Sequence, residues 1–251
     1  MKIKIVSEGS TKLDYLRGRW GLSFLIDDDI LFDTFCDPDL FKHDLIKSNV
    51  DIQKIQHVII SHDHWDHKDG LWYVLENNHH LSVYVCRNSD EAFKKKISGY
   101  QCRLIEVEKP MEIKTNVFTT GEIPASYKSK AIFEQSLVIN NKGKITVVTG
   151  CSHPGIISIL DIVRNQHPGK IELLIGGLHL MDKSKDEIAP IADKLDSVYD
   201  ISSIIPLHCT GKKAIGQLRK KMPQKIKKLR KSDRLKWKPE KSIWETSAGN
   251  G

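Results

Sequence analysis

Ser61-His62-Asp63-His64-Trp65-Asp66-His67 carries the strongest chemical signal in this sequence, because three histidines and two aspartates fall within six positions. It follows the run His-Val-Ile-Ile at 57–60, which is short and partly β-branched and therefore predicts a buried strand. Open α/β sheets place their chemistry in the loops at such strand ends. Imidazole and carboxylate groups suit zinc, iron or manganese, and several on one loop can reach two adjacent ions. The alternative is a solvated loop that binds nothing.

The pattern His-x-His-x-Asp-His after a strand resembles that of the metallo-β-lactamase superfamily. In that superfamily the first two histidines hold one metal ion, and the aspartate and the last histidine help to hold a second. The resemblance therefore implies that His62 and His64 serve the first ion, and that Asp66 and His67 serve the second. It also implies an α/β fold, a four-layer αβ/βα sandwich of two mixed sheets, with the site along one edge.

Three later strand-like runs also end in a histidine beside small residues, at His153, His179 and His208. Pro154 suits the first turn of a helix, so His153 is predicted to point from a helix start toward the strand ends. By the same resemblance, His153 is a metal ligand and His208 is the last ligand of the second ion. His179 either stabilises charge on the substrate or completes the metal shell.

Two positions depart from the usual superfamily pattern. Cys151 stands where many members have an aspartate that bridges the two ions, and it is either a ligand or inert packing. The chain has no histidine between His80 and His153, where many members carry a metal-binding one. This excludes the glyoxalase-like and lactamase-like types. Glu122 is a substitute ligand, a residue lining the pocket or an ordinary loop glutamate.

Asp33-Thr34 follows a predicted hairpin whose turn is Asp27-Asp28-Asp29. A comparable hairpin in the superfamily ends near an Asp-Thr pair that supports the metal loop, often followed by glycine, where this chain has Phe35. Asp33 is therefore either an acceptor that orients a ligand imidazole or an ordinary turn aspartate.

Three later motifs resemble those of one branch of the superfamily, and this resemblance covers residues 20–215. The motifs are Thr-Gly-Cys-Ser-His, Gly-Gly-Leu-His-Leu and Leu-His-Cys-Thr-Gly. That branch includes the archaeal dihydropterin–ribofuranosylaminobenzene phosphate synthase and relatives described as metal-dependent hydrolases. Asp63 replaces a glycine of the branch's first motif, and the basic C-terminus is also unlike the branch. These differences weaken the inference about the substrate more than the inference about the metal site.

Hydrophobic periodicity predicts the elements around these motifs. A second hairpin is expected over 136–148, with its turn at 140–143. The predicted helices cover 39–48, 70–78, 90–97, 155–165 and 188–199. The last of these helices carries Pro190 in its first turn.

The C-terminal segment is strongly basic. Residues 1–211 are predicted to form the metallo-β-lactamase-like domain, and 212–251 a basic helix and tail that is part of the same domain or partly disordered. Residues 212–241 hold fourteen Lys or Arg and two acidic residues, and Pro223 and Pro239 argue against an unbroken helix. Such a segment attracts nucleic acid, phosphorylated ligands or an anionic surface, or is simply a solvated face.

Composition indicates an ordinary globular protein of 251 residues, with 39% hydrophobic and 28% charged residues. No apolar run approaches the ~18 residues that a membrane span requires, and the N-terminus lacks the apolar core of a signal peptide. The five cysteines are odd in number and form no Cys-x-x-Cys pair. A reducing cytoplasmic location is therefore predicted.

The leading hypothesis is a metal-dependent hydrolase that uses one or two ions, most simply zinc, with iron or manganese as alternatives. Asp66 would hold the attacking water as ligand and base, and His179 would act on the substrate. The substrate is expected to be a small anionic or phosphorylated molecule, and no membrane partner is expected. Three alternatives stay open: a metal-assisted synthase, a phosphodiesterase or nuclease favoured by the basic tail, and a non-catalytic metal-binding protein.

Overall fold

The computed structural model describes residues 1–229, 234–238 and 243–247. The chain divides into two compact units, Met1–Glu108 with Leu229–Gly251, and Lys109–Lys228. Each unit contains a large mixed sheet. The predicted α/β class with two mixed sheets is therefore confirmed.

The first unit is built from six strands of the N-terminal half and the helices between them. The strands are β1 (Lys2–Gly9), β2 (Gly21–Ile26), β3 (Ile30–Phe32), β4 (His57–Ile59), β5 (Ser82–Cys86) and β6 (Arg103–Val107). The helices are α1 (Lys12–Leu16), α2 (Pro38–Lys47), α3 (Trp65–Lys68), α4 (Leu71–Asn77) and α5 (Glu91–Ser98).

Strands β1, β2 and β3 pair in antiparallel fashion, whereas β3, β4, β5 and β6 are parallel neighbours. Apolar side chains of α2, α4 and α5, among them Phe41, Leu71 and Phe93, share one core with Val58 and Val83 of the sheet. Parallel strands need helical crossovers, which cover the sheet and bury it. This core fixes the C-terminal end of β4, from which the histidine-rich loop emerges.

The second unit is also built from strands and the helices between them. Its strands are β7 (Met111–Lys114), β8 (Val117–Thr119), β9 (Ile123–Tyr127), β10 (Lys130–Glu134), β11 (Leu137–Asn141), β12 (Lys144–Thr149), β13 (Lys170–Gly177) and β14 (Ser203–Leu207). Its helices are α6 (Ile156–Gln166), α7 (Lys185–Asp193) and α8 (Lys212–Lys221). The large sheet has the order β14-β13-β12-β11-β8-β7, and β9 and β10 form a separate hairpin.

Strands β12, β13 and β14 are parallel, so their C-terminal ends lie at the same edge of the sheet. The helices α6, α7 and α8 contribute Leu160, Ile188 and Leu218 to a core that includes Val147 and Leu174. The predicted hairpin over 136–148 is the antiparallel pair β11–β12, with its turn at Lys142 and Gly143.

The end of the chain returns to the first unit. The strand β15 (Arg234–Lys238) pairs in antiparallel fashion with β1, placing Lys236 opposite Lys2, and β16 (Ile243–Ser247) pairs with β15. Within the described part of residues 212–251, the helix α8 corresponds to the predicted basic helix, and Pro223 follows its end. Pro239 lies outside the described residues.

The helix predicted at 188–199 is present, but it starts three residues earlier than predicted. It begins at Lys185, because Ser184 and Glu187 form a capping box, and Pro190 therefore lies in the helix interior and not in its first turn. The helix continues past Asp193 as a π-helical segment, Lys194–Val198. Over the ranges that the structure describes, no helix is long and apolar enough to cross a membrane.

Candidate metal centre

The histidine loop, residues 61–67, follows β4 and ends inside the short helix α3. His62, Asp66 and His67 are buried, and His64 is partly exposed. The ring centroid of His62 lies 4.8 Å from that of His64 and 4.3 Å from that of His67. The structure therefore brings the three predicted histidines of this loop together.

Asp33 holds the histidine loop in place through three polar contacts of its carboxylate. Its Oδ1 accepts the Ser61 backbone N–H at 2.7 Å, and its Oδ2 lies 2.8 Å from Ser61 Oγ and 2.6 Å from His67 Nδ1. Ser61 Oγ in turn lies 2.8 Å from His62 Nδ1. Burial raises the pKa of Asp33, although His67 and Ser61 oppose this shift. Asp33 thus holds one imidazole directly and a second through Ser61, as its predicted orienting role requires.

The Nδ1 atoms of His62 and His67 are both engaged by these contacts. The Nε2 atom of each ring is therefore the nitrogen that would bind an ion. His67 Nε2 lies 3.5 Å from the Asp66 Oδ2 atom, so imidazole and carboxylate converge. A ligand histidine usually donates its other ring N–H to a carboxylate or carbonyl. The first unit therefore fits a metal ion by the chemistry of its donors.

The backbone around Asp33 has an unusual conformation and is closely packed. Asp33 and Phe35 both adopt the left-handed conformation, with φ of 59° and 64°. That conformation favours glycine, which accounts for the glycine common after Asp-Thr, although Phe35 is accommodated here in the core. Two nearby glycines also lie close to other backbone atoms. A Cβ on Gly21 would lie 2.0 Å from the Asp66 carbonyl oxygen, and a Cβ on Gly70 would lie 1.8 Å from the Thr34 carbonyl oxygen.

The second unit gathers its donors at the ends of β12, β13 and β14, as predicted from the repeated histidines. His153 and His179 pack with their ring centroids 4.5 Å apart, and His208 is fully buried at the start of a 3₁₀ turn. Ser152, His179 and His208 have φ values of 70°, 49° and 46°. Left-handed non-glycine residues cost energy and tend to cluster at functional sites.

Glu134 is a functional candidate that the sequence analysis missed. This fully buried carboxylate accepts the backbone N–H groups of Cys151, Ser152 and His153 at 2.9, 2.7 and 2.7 Å. Its Oε2 also lies 2.9 Å from His153 Nδ1. Burial would raise the pKa of Glu134, but the contacts with His153 and the amides outweigh burial and lower it. Glu134 supports His153 as Asp33 supports His67, leaving Nε2 of His153 as the nitrogen that would bind an ion.

Tyr127 is the second missed residue. Its ring contacts both His153 and His179 edge-on, with centroid distances of 5.1 and 5.5 Å. Tyr127 and Glu134 both belong to the β9–β10 hairpin, whose turn residues Lys128 and Ser129 have positive φ. The sequence carries little signal for this hairpin, because the run Lys-Ala-Ile-Phe-Glu at 130–134 does not alternate between polar and apolar residues.

Cys151, His179 and Cys209 form a further donor set, with their ligand atoms within 4.8 Å of one another. Cys209 Sγ lies 3.4 Å from the Cys151 carbonyl oxygen. Burial opposes ionisation of Cys209, but the Cys151 and His179 side chains lower its pKa well below the ordinary value. Burial lowers the pKa of His179, but Cys209 and nearby carboxylates outweigh this and raise it.

One candidate named from the sequence is not part of the donor sets found among the described residues. Glu122 precedes β9 and belongs to none of the three-donor sets found in the part of the chain that the structure describes. His79 and His80 are exposed after α4. Cationic groups are favourable at a helix C-terminus, so no metal role is needed for this pair.

Comparison with known proteins agrees with this architecture. A family model described as the metallo-beta-lactamase superfamily matches residues 20–123. A curated relative from Methanocaldococcus jannaschii, 7,8-dihydropterin-6-methyl-4-(beta-D-ribofuranosyl)-aminobenzene-5'-phosphate synthase, is 26% identical, with 83% of this chain and 87% of the relative covered.

Two solved structures share the fold. Tm1679, described as a metal-dependent hydrolase of the beta-lactamase superfamily, has a TM-score of 0.75 and 26% identity, with 94% of this chain and 98% of that chain covered. Zn²⁺-bound PqqB from Methylobacterium extorquens has a TM-score of 0.63 at 13% identity, covering 94% and 100% of the two chains. The chain therefore resembles the metallo-β-lactamase superfamily, in its family model over residues 20–123 and in its fold over most of its length.

Proposed function

We propose that this protein is a metal-dependent hydrolase of a small anionic substrate, a phosphoester or a lactone-like ester. The observation that carries the proposal is that a buried carboxylate supports a histidine in each unit, Asp33 with His67 and Glu134 with His153. Burying such carboxylates is costly, and holding an imidazole in one orientation is their usual purpose beside a metal ion. The resemblance to Tm1679 in sequence and fold supports the same class.

The proposed ligands of one or two ions are five histidines and one aspartate. Histidine and carboxylate donors suit zinc, which we propose as the resident metal, and iron or manganese would also accept them. In the proposed set, Asp66 and His67 serve one ion with His208, and the remaining histidines serve the other. The set is His62, His64, Asp66, His67, His153 and His208.

When bound, the metal would supply Lewis-acid activation of a water molecule and of the substrate's phosphoryl or carbonyl oxygen. Asp66 would orient that water and accept its proton, since its carboxylate is buried beside His67 and fixed in direction by α3. His179 would stabilise negative charge on the substrate or complete the metal shell. All five cysteines are free thiols, which suits the cytoplasmic location that we also propose.

A metal-assisted synthase is the second candidate function. The M. jannaschii relative named as a phosphate synthase is similar along most of its length, and such a reaction would use the same metal site. Adding the two parts of the product in that name, a dihydropterin with a leaving group on its 6-methyl carbon and a ribofuranosylaminobenzene phosphate, to the metal-loaded protein distinguishes the two. A joined product without hydrolysis would favour the synthase.

The hydrolase proposal is tested by screening phosphoesters and lactones with metal-loaded protein and two aspartate variants. Asp66→Asn should lower kcat by about 10²-fold or more, because it removes the acceptor for the water proton. Asp63→Asn is the matched control, because Asp63 lies in the same loop but its Oδ2 accepts the Asp90 backbone N–H at 2.8 Å. Equal loss of activity in both variants, or none in Asp66→Asn, would contradict the assignment.

A further inference from the structure

Three soft or borderline donors in the second unit lie outside the ligand set proposed above. Cys151 follows β12, His179 follows β13, and Cys209 follows β14, so each sits beyond the end of one of three adjacent parallel strands. Their two sulfur atoms and one ring nitrogen all lie within 4.8 Å of one another. Among the residues that the structure describes, no other cysteine joins such a donor set.

The local backbone makes room for this arrangement. A Cβ on Gly177 would lie 2.6 Å from Cys209 Sγ and 2.3 Å from the Gly150 carbonyl oxygen, so only glycine lets the sulfur approach. His179 adopts a left-handed φ of 49°, and His208, directly before Cys209, one of 46°. These conformations are energetically costly for residues other than glycine and persist only where the surrounding structure enforces them.

The other cysteines show what an ordinary buried thiol looks like in this chain. Cys86 is fully buried in β5, and its Sγ lies 3.6 Å from the Ser61 carbonyl oxygen. Cys36 Sγ donates to the Gly18 carbonyl oxygen at 3.2 Å. Neither belongs to a group of three or more metal-ligating donors among the residues that the structure covers. Pairing of Cys151 and Cys209 with an imidazole is therefore a specific feature of these strand ends and not a general consequence of burial.

We propose that Cys151, His179 and Cys209 bind a thiophilic divalent cation, with zinc as the fitting ion. Two thiolates and one imidazole form a ligand set typical of zinc, with a fourth position open to water or substrate. Thiolate donors discriminate against magnesium, manganese and calcium, which prefer oxygen. The proposal assigns His179 to a metal shell and gives the second unit a cation site of its own, whether or not the protein is a hydrolase.

The test is cobalt(II) titration of the reduced, metal-free full chain, followed by thiolate-to-cobalt charge-transfer absorption. Wild type should develop this band, because an ion held only by histidines and carboxylates produces none. Cys209→Ser should lose about half or more of the intensity, since one of two thiolate ligands is gone. His179→Gln should weaken cobalt binding at this site about tenfold or more.

Cys86→Ser is the matched control, a buried cysteine of the first unit, and it should retain the full band. Absence of the band in wild type, or an unchanged band in Cys209→Ser, would overturn the proposal and leave the hydrolase proposal standing. If Cys209→Ser fails to fold, alkylation of wild type with and without zinc decides. Zinc should protect Cys151 and Cys209, and leave the half-exposed Cys102 as reactive as before; equal labelling of all three would overturn the site.

Discussion

The buried carboxylates are the residues on which the candidate metal centre most depends. An orienting role for Asp33 was one of two alternatives predicted from the sequence, because the Asp-Thr pair after a hairpin is a local feature that resembles the superfamily pattern. Glu134 was not, because the backbone amides it accepts, at 151–153, are seventeen or more positions away. A carboxylate's partners at such distances depend on strand pairing, which residue-by-residue analysis does not specify. The metal roles assigned to the histidines stay predictions.

Asp33→Asn tests the anchoring of the histidine loop. The variant should lower zinc affinity about 10- to 100-fold, because the amide no longer accepts from Ser61 and His67 together and the imidazole loses its fixed orientation. Competition with a chromogenic chelator measures this. Asp44→Asn is the control, since Asp44 is also buried but pairs with Arg19 at 2.8 Å and Ser7 at 2.8 Å. An affinity loss of the same size in Asp44→Asn would contradict the specific role of Asp33.

Glu134→Gln tests the second carboxylate through stability. The glutamine NH₂ group would face backbone N–H donors now satisfied by Glu134, leaving at least one of them unpaired. We expect the free energy of unfolding to fall by about 1–3 kcal/mol in metal-free protein. Urea denaturation measures the change. A metal-free variant as stable as wild type would mean that these hydrogen bonds are not required for the fold of the second unit.

At the scale of elements, the clearly periodic helices were predictable, and α2 and α4 match their expected ranges within two residues. The errors arose where capping and turn chemistry outweighed periodicity. Ser184 and Glu187 start α7 before its apolar face begins. The β9–β10 hairpin turns on Lys128 and Ser129, which are not typical residues for positive φ, so no turn signal marked it.

Two glycines in different elements should respond oppositely to alanine. Gly177→Ala places a Cβ against a backbone carbonyl at 2.3 Å and should destabilise the protein by about 1–3 kcal/mol. Gly216→Ala in α8 meets nothing within 4 Å and should stabilise it by about 0.5–1 kcal/mol. Thermal unfolding of both variants measures this. Destabilisation by Gly216→Ala, or tolerance of Gly177→Ala, would contradict the packing described at these positions.

At the scale of the whole molecule, the resemblance to the metallo-β-lactamase superfamily and the two mixed sheets were predictable, because one dense motif and three repeated strand ends are local features. The pairing of the C-terminal strand β15 with β1 was not predictable. Residues 234–238 alternate Lys or Arg with apolar residues, which is a strand pattern, but their charge suggested a solvated helix and tail. Lysines are common on exposed strands near a sheet edge, where they discourage aggregation.

Metal content per chain, determined by elemental analysis, tests the central claim most directly. Wild type grown with supplementary zinc should hold about two ions at the hydrolase ligand set and a further one at Cys151, His179 and Cys209, and both His62→Ala and His208→Ala should hold fewer than wild type. His80→Ala, an exposed histidine after α4, should match wild type. Undiminished metal in His208→Ala would remove that residue from the proposed ligand set. A wild-type protein without stoichiometric metal would contradict the metal-dependent function altogether.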